Sequence, residues 1–222
     1  MLKSLKRQAS LLNYKFGFIN KEFGNKPFKL LDVGCGNHSP SKTKSIFPNC
    51  EYYGLDLDKT YNNNEKDFDV TKAFYELDLT KLDYSTIPNN YFDFIRMAHV
   101  IEHLYNGDEV LKALLPKLKE GGFFYIEYPG KKSLTLPSMH GTLNFHDDPT
   151  HVRIYSIKEL QNIFEDGGCR VLKSGIRRNA SNIIAMPARA ALSLLRRKKL
   201  EANIFWDITG FAEYLFVKKM PA

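Results

Sequence analysis

The sequence predicts an α/β domain built on a mainly parallel sheet, and three observations predict it. An apolar run, Leu30-Leu31-Asp32-Val33, passes directly into a glycine turn, Gly34-Cys35-Gly36-Asn37. A second segment, Glu51-Tyr52-Tyr53-Gly54-Leu55-Asp56, ends on an acid about 20 residues further on, where the second strand of a nucleotide-binding α/β unit presents a carboxylate to a ribose. Beyond these, short apolar runs alternate with helix-periodic segments, the pattern of successive βαβ units.

Taken in order, strands are expected near 28–33, 51–56, 73–78, 91–97, 122–128 and 169–176, with a last one over 214–218. Helices are clearest over 107–119, where Val110, Leu111, Leu114, Leu115 and Leu118 share a face, and over 156–166, where Ser156 and Glu159 have capping-box spacing. Leu2, Leu5, Ala9, Leu12, Phe16 and Ile19 recur at helical spacing, which predicts an N-terminal helix covering the sheet or a ligand. Residues 187–200, with Leu192, Leu194 and Leu195 before Arg196-Arg197-Lys198-Lys199, read as a basic helix beside the sheet. Its charges suit either a solvated helix end or an anion-binding surface.

A strand that ends in Gly-x-Gly lets backbone N–H groups approach a ligand without side-chain obstruction. Ser39 stands where a dinucleotide fingerprint needs its third glycine, and Asp32 would repel a pyrophosphate, so NAD is disfavoured. The Gly-Lys-Ser/Thr signature of a P-loop is missing from this turn. S-adenosylmethionine carries a sulfonium and an ammonium, which a carboxylate at the loop attracts. Asp56 is the expected ribose ligand because one carboxylate can accept from both hydroxyls, whereas Asp58 falls past the strand end.

The motifs in this order resemble the class I S-adenosylmethionine-dependent methyltransferases. Ala73-Phe74-Tyr75-Glu76-Leu77-Asp78-Leu79 is similar to the family's third strand with its adenine-side acid, and Tyr91-Phe92-Asp93-Phe94-Ile95-Arg96-Met97 to the fourth. His99-Val100-Ile101-Glu102-His103-Leu104 resembles the segment that follows in the small-molecule branch, and Gly121-Gly122-Phe123-Phe124-Tyr125-Ile126-Glu127-Tyr128-Pro129 a turn and fifth strand. Spanning residues 28–175, the resemblance implies a Rossmann-like seven-stranded sheet in the order 3-2-1-4-5-7-6, its last strand antiparallel, with helices on both faces. It implies S-adenosyl-L-methionine as cofactor, with Asp32, Gly34, Cys35, Gly36, Asp56, Leu57, Asp78, Leu79 and His99 around it. Taken singly, Asp78 also suits a helix N-cap, Cys35 a small space-filler, and His99 and Glu102 satisfied polar groups at a strand end.

Length and composition bound this reading. A chain of 222 residues that is 43% hydrophobic buries a core as one domain. Within it the expected parts are a helical segment over 1–27, a cofactor-binding core over 28–128, a substrate lid over 129–155 and the remaining sheet with the basic helix over 156–222. Cys35, Cys50 and Cys169 are odd in number and widely separated, which predicts a reducing, cytoplasmic setting and neither disulfides nor a zinc ribbon. No apolar run approaches the ~20 residues of a membrane span. Residues 1–29 hold seven basic side chains and one acid, and 173–199 hold eight basic and none acidic, so against a total of +7 the rest is net acidic. The basic segments could meet lipid phosphate, RNA or a phosphorylated substrate.

The connection over residues 130–155 exceeds the ~12–15 residues beyond which loops tend to be functional. It holds His140, Asn144, His146, Asp147, Asp148, Thr150, His151 and Arg153, and leaves the sheet at its carboxyl edge, so it is expected to be the substrate lid. Methyl transfer needs chiefly alignment, and a hydroxyl acceptor also needs a base. His146 is the first candidate, with His151 and Asp148 beside it; Asp148 before Pro149 also suits a turn cap, in which case His151 is structural as readily as catalytic. His140, His146, Asp147, Asp148 and His151 match no standard metal spacing, so no metal is expected.

Residue chemistry narrows the acceptor. Arg96-Met97-Ala98-His99 lacks the Asn/Asp-Pro-Pro-aromatic turn of base amino-methyltransferases, no cysteine follows a proline, and no two-glutamate loop is found for a guanidinium. What remains is O-methylation of a small-molecule or glycan hydroxyl. The segment Asp147-Asp148-Pro149-Thr150-His151-Val152-Arg153 resembles one in bacterial methyltransferases of surface-polysaccharide assembly. The alternatives are an RNA methyltransferase using the basic segments and a non-catalytic S-adenosylmethionine-binding protein.

Overall fold

The computed structural model describes residues 8, 10–36, 38–58 and 65–221. Leu2, Leu5 and Ala9 of the expected N-terminal helix, and Asn37 of the glycine turn, lie outside the described residues. The main elements are α1 (Tyr14–Phe23), β1 (Phe28–Val33), α2 (Ser39–Ile46), β2 (Cys50–Asp56), α3 (Glu65–Val70), β3 (Thr71–Glu76) and β4 (Phe92–Ala98). After them come α4 (Gly107–Leu114), β5 (Leu118–Pro129), α5 (Ile157–Asp166), β6 (Cys169–Ile176), α6 (Ala180–Arg197), α7 (Trp206–Thr209) and β7 (Ala212–Lys219).

The seven strands form one sheet in the order β3-β2-β1-β4-β5-β7-β6, as expected. β7 runs antiparallel to both β5 and β6, and the remaining pairs are parallel. Alternate residues of β1 serve the two faces. Leu31 and Val33 join a core with Val110, Leu111 and Leu114 of α4 and Leu160 and Phe164 of α5. Leu30 joins the opposite core with Phe16 and Ile19 of α1, Tyr52, Phe94 and Phe216. Strands buried on both faces are apolar along most of their length, and in β1 and β4 the buried exceptions are Asp32 and Arg96.

Several boundaries differ from the expectations, each for a local reason. The helix expected to 119 stops at Leu114, because Pro116 lacks the N–H of an α turn, and Leu115–Lys117 is a 3₁₀ turn. β5 then begins at Leu118, so Gly121 and Gly122 sit inside the strand rather than in a turn before it. The register against β4 shifts there, between Phe92 and Phe94, and Gly121 takes φ +75°. β3 ends at Glu76, which leaves Asp78 beyond the strand. The basic helix starts at Ala180, capped by the Asn179 side chain, and keeps Ile184 and Leu195 each 81% exposed. The expected Ser156–Glu159 capping box is formed.

All three cysteines are buried and free, and burial pushes the Cys50 thiol up to about 12. Among the described residues, no helix is long and apolar enough to cross a membrane.

Candidate functional site

Strand order reverses between β1 and β4, the point where open α/β sheets bind ligands beyond their strand ends. The glycine turn lies there. Gly34 has φ +65°, and a Cβ on it would come within 2.2 Å of Val100 Cγ2. Gly34 and Cys35 donate their N–H groups to Leu55 O at 2.8 and 3.2 Å, which ties the turn to β2. Gly36 N–H then donates to Asp56 Oδ2 at 2.8 Å, and Leu57 N–H to Asp56 Oδ1 at 2.8 Å. The acid at the tip of β2 therefore faces the turn. Cys35 is buried, with Sγ 3.0 Å from where a Cβ on Gly54 would stand, so it fills space against β2; burial holds its thiol far above the ordinary range.

Asp78 is the N-cap of the 3₁₀ turn Leu79–Lys81, accepting from Thr80 N–H at 2.9 Å and Thr80 O–H at 2.7 Å. Those hydrogen bonds hold its carboxyl below the usual range. Both fall on Oδ1. Leu79 is buried beside it, and Leu57 is exposed at the end of β2.

Asp32 is engaged by the protein itself. Arg96 donates from Nε to Oδ1 at 2.7 Å and from Nη2 to Oδ2 at 2.5 Å, Ser39 O–H donates at 2.7 Å, and Tyr52 O–H donates to the same Oδ2. Burial alone would raise the Asp32 carboxyl, but the Arg96 charge and these bonds outweigh it and hold the group below the usual range. Asp32 thus does not stand free beside the turn, as its position in the sequence implied.

Arg96, Asp32 and Gly34 line a cavity of about 360 Å³ with Lys15 and Phe16 of α1 and Lys42 of α2. Arg96 is 1% exposed, and its Nη1 has no hydrogen-bond partner among the described residues. Burial, and next the Arg96 charge, bring half-buried Lys15 down to about 8. A buried donor without a partner in a cation-lined cavity fits an anionic group, and the methionine carboxylate of S-adenosylmethionine is one.

His99 closes the end of β4 at φ +58°. Its Nδ1 is 3.2 Å from Glu102 Oε1 and its Nε2 3.1 Å from Glu127 Oε1, and its ring lies 4.9 Å from that of Trp206. Burial disfavours the imidazolium, but bonds to the two carboxylates reverse this and raise it to about 9. Glu127 is further paired with Arg177 at 2.6 Å, and Arg177 with Asp207 at 3.1 Å, forming a buried chain of charges behind His99.

The segment over 130–155 is folded onto the sheet. Asp147 Oδ2 accepts from the N–H groups of Met139, Leu143 and Asn144, and Leu143 packs with Phe211 and Ala202. Burial opposes ionisation of Asp147, but Ser138 and those N–H groups bring it down to about 2. Further along, Val152 and Arg153 donate their N–H groups to Glu102 O at 2.9 and 3.3 Å. This docking places His151 with Nδ1 2.7 Å from Phe145 O and Nε2 3.9 Å from Asp148 Oδ2. Asp148 caps a turn, accepting from Thr150 N–H and O–H, which is the alternative its position before Pro149 left open. His146 is exposed, with its ring edge-on to Phe145 at 5.5 Å. His140 turns away to Glu201 at 3.2 Å, so the five lid residues weighed as a metal set do not converge.

Sequence reasoning missed Arg96, Lys15, Glu127, Arg177 and Trp206. Arg96 had a signal: an arginine in the middle of an otherwise apolar strand is rarely buried unless paired. The others become neighbours only through the sheet order.

The fold compares closely with solved structures of low sequence identity. A Haloferax volcanii protein solved in complex with the Trm112 methyltransferase activator is 15% identical, with a TM-score of 0.68 over 99% of this chain and 94% of its own. An S-adenosylmethionine-dependent methyltransferase from Mesorhizobium loti is 12% identical, with a TM-score of 0.65 over 92% and 97%. Phosphoethanolamine N-methyltransferase 2 from Haemonchus contortus, solved with S-adenosyl-L-methionine, is 16% identical, with a TM-score of 0.63 over 92% of this chain and 52% of its own. Comparison with curated protein sequences finds no match. The family model for a methyltransferase domain matches residues 6–174, most of the length, and with the sheet order and the β1–β4 cavity this establishes that the chain belongs to that family, as a class I enzyme that uses S-adenosylmethionine.

Proposed function

We propose that the chain O-methylates a hydroxyl of a small-molecule or glycan acceptor. The observation that carries this reading is the docking of the lid on Glu102 O through Val152 and Arg153, which sets Asp148 and His151 beside the carboxyl end of β4. When bound, S-adenosylmethionine supplies a methyl group made electrophilic by its sulfonium. Arg96 Nη1 and Lys15 take its carboxylate, Asp56 its ribose hydroxyls and Asp78 its adenine amine, with Gly34, Cys35 and Gly36 clearing the approach and Leu57, Leu79 and His99 flanking it. Asp32 is a positioning residue in this reading, because its charge neutralises and orients Arg96.

With the cofactor bound, its methyl group would pass to the acceptor oxygen, and the Asp148–His151 pair would take the hydroxyl proton. His151 donates from Nδ1 to a carbonyl, which leaves Nε2 as its accepting atom. His146 ranks below the pair because no hydrogen bond orients its exposed ring among the described residues. The folded lid keeps water from the acceptor.

The reading is tested by calorimetry with S-adenosylmethionine, S-adenosylhomocysteine and NAD, then by S-adenosylhomocysteine release with hydroxylated glycans and nucleotide sugars. Micromolar binding of the two adenosyl ligands, no NAD binding, and release that falls by about 10²-fold in Asp148→Asn are expected. Release with RNA and with no glycan would favour the second reading, RNA methylation. That reading is supported by α6, where Arg189, Arg196 and Arg197 line another cavity of about 260 Å³.

A further inference from the structure

We infer that Glu102, His103 and His151 form a binding site for a divalent transition-metal cation where the lid meets the end of β4. One donor atom from each lies within 4.8 Å of the other two. Glu102 and His103 come from the 3₁₀ turn Ile101–His103, and His151 comes from the lid that is hydrogen-bonded to Glu102 O. Residues 102, 103 and 151 are therefore held together by backbone, not by chance rotamers.

Two further features point to a ligand. Each imidazole already has a backbone carbonyl on Nδ1: Phe145 O at 2.7 Å for His151 and Thr150 O at 3.3 Å for His103, with Thr150 Oγ1 also 2.8 Å from the latter. A carbonyl can only accept, so Nδ1 carries the proton and Nε2 presents its lone pair. Metal-binding histidines are oriented in this way, by donating the second ring N–H to an oxygen outside the coordination sphere. The second feature is Glu102, which is 1% exposed and uses Oε1 on His99 while Oε2 has no partner among the described residues. A buried carboxylate oxygen left unmatched is costly, and a cation removes the cost.

The donor set selects the class of ion. Two imidazoles and one carboxylate suit Mn²⁺, Fe²⁺ or Zn²⁺, whereas Mg²⁺ and Ca²⁺ favour oxygen alone. Ligands at about 2.0–2.2 Å from one ion lie roughly 3–4 Å apart, so the donors close in by about an ångström on binding. The His103 and His151 rings lie with their centroids 4.8 Å apart.

The use of this site rests on the O-methylation reading above. A cation sharply lowers the pKa of an oxygen bound to it. With the His151 lone pair on the metal, Asp148 Oδ2 takes the hydroxyl proton. The oxygen lone pair then forms the new bond to the methyl carbon, and the methyl–sulfur pair returns to sulfur.

The full chain, stripped with a chelator and dialysed, is titrated with Mn²⁺ and Zn²⁺ by calorimetry and with Co²⁺ by visible absorption. One equivalent per chain is expected, with affinity falling tenfold or more in His103→Ala and in Glu102→Gln and unchanged in His140→Ala. Half-buried His103 is the variant that keeps its fold if Glu102→Gln does not. No one-to-one binding of any of the three ions, or binding undiminished in a folded His103→Ala, overturns the site and leaves the two histidines as packing partners. S-adenosylmethionine is titrated in parallel: cofactor binding without metal binding removes this inference alone, and metal binding without cofactor binding removes only its proposed use.

Discussion

Arg96 lies directly across from Asp32 in the β1–β4 register and clamps both oxygens of its carboxylate, through Nε at 2.7 Å and Nη2 at 2.5 Å. Both side chains are at most 5% exposed, so removing either leaves a buried charge. Arg96→Leu and Asp32→Asn are each expected to cost about 3–5 kcal/mol in urea unfolding, and the double variant less than the sum.

The same pair sets an acid limit. The Asp32 carboxyl is held below its ordinary value, so its stabilisation is complete above the unfolded carboxylate range and is lost as pH falls through the lower folded value. Unfolding midpoints measured downward from pH 6 should fall less steeply in Asp32→Asn than in the native chain.

Gly34 is irreplaceable on two counts, a φ of +65° and the approach of Val100 Cγ2 to within 2.2 Å of an added Cβ. Gly34→Ala should lose at least about 1–2 kcal/mol from the backbone alone and should abolish micromolar cofactor binding. Adding Val100→Ala should restore part of the thermal stability, because it removes the clash and leaves the backbone cost.

Asp56 holds the turn through Gly36 N–H and is proposed to hold the ribose. Asp56→Ala should weaken S-adenosylhomocysteine by about 1.5–3 kcal/mol in calorimetry. Wild-type affinity in that variant would remove the assignment.

Lys15, brought down to about 8 by burial and by Arg96, makes the cavity's charge depend on pH near neutrality. It is cationic below that value and neutral above, so affinity for the cofactor carboxylate should fall between pH 7 and 9. Lys15→Met, compared over the same range by calorimetry, should bind more weakly at pH 7 and lack that decline.

The sequence by itself determined what neighbours along the chain control. The mainly apolar runs of β1 and β4, the glycine turn at Gly34 and the Ser156–Glu159 capping box depend on residues a few positions apart, and each was legible. The tertiary structure alone decided which partner each polar group meets. From the sequence Asp32 reads as a ligand of the cofactor's cationic end, until the β1–β4 register brings Arg96, 64 residues away, onto it. His151 meets His103 and Glu102 only because the lid folds back on Glu102 O, and Glu127 meets Arg177 across 50 residues. Charges and lone pairs act through space, and no local periodicity records which strand the chain will lay beside them.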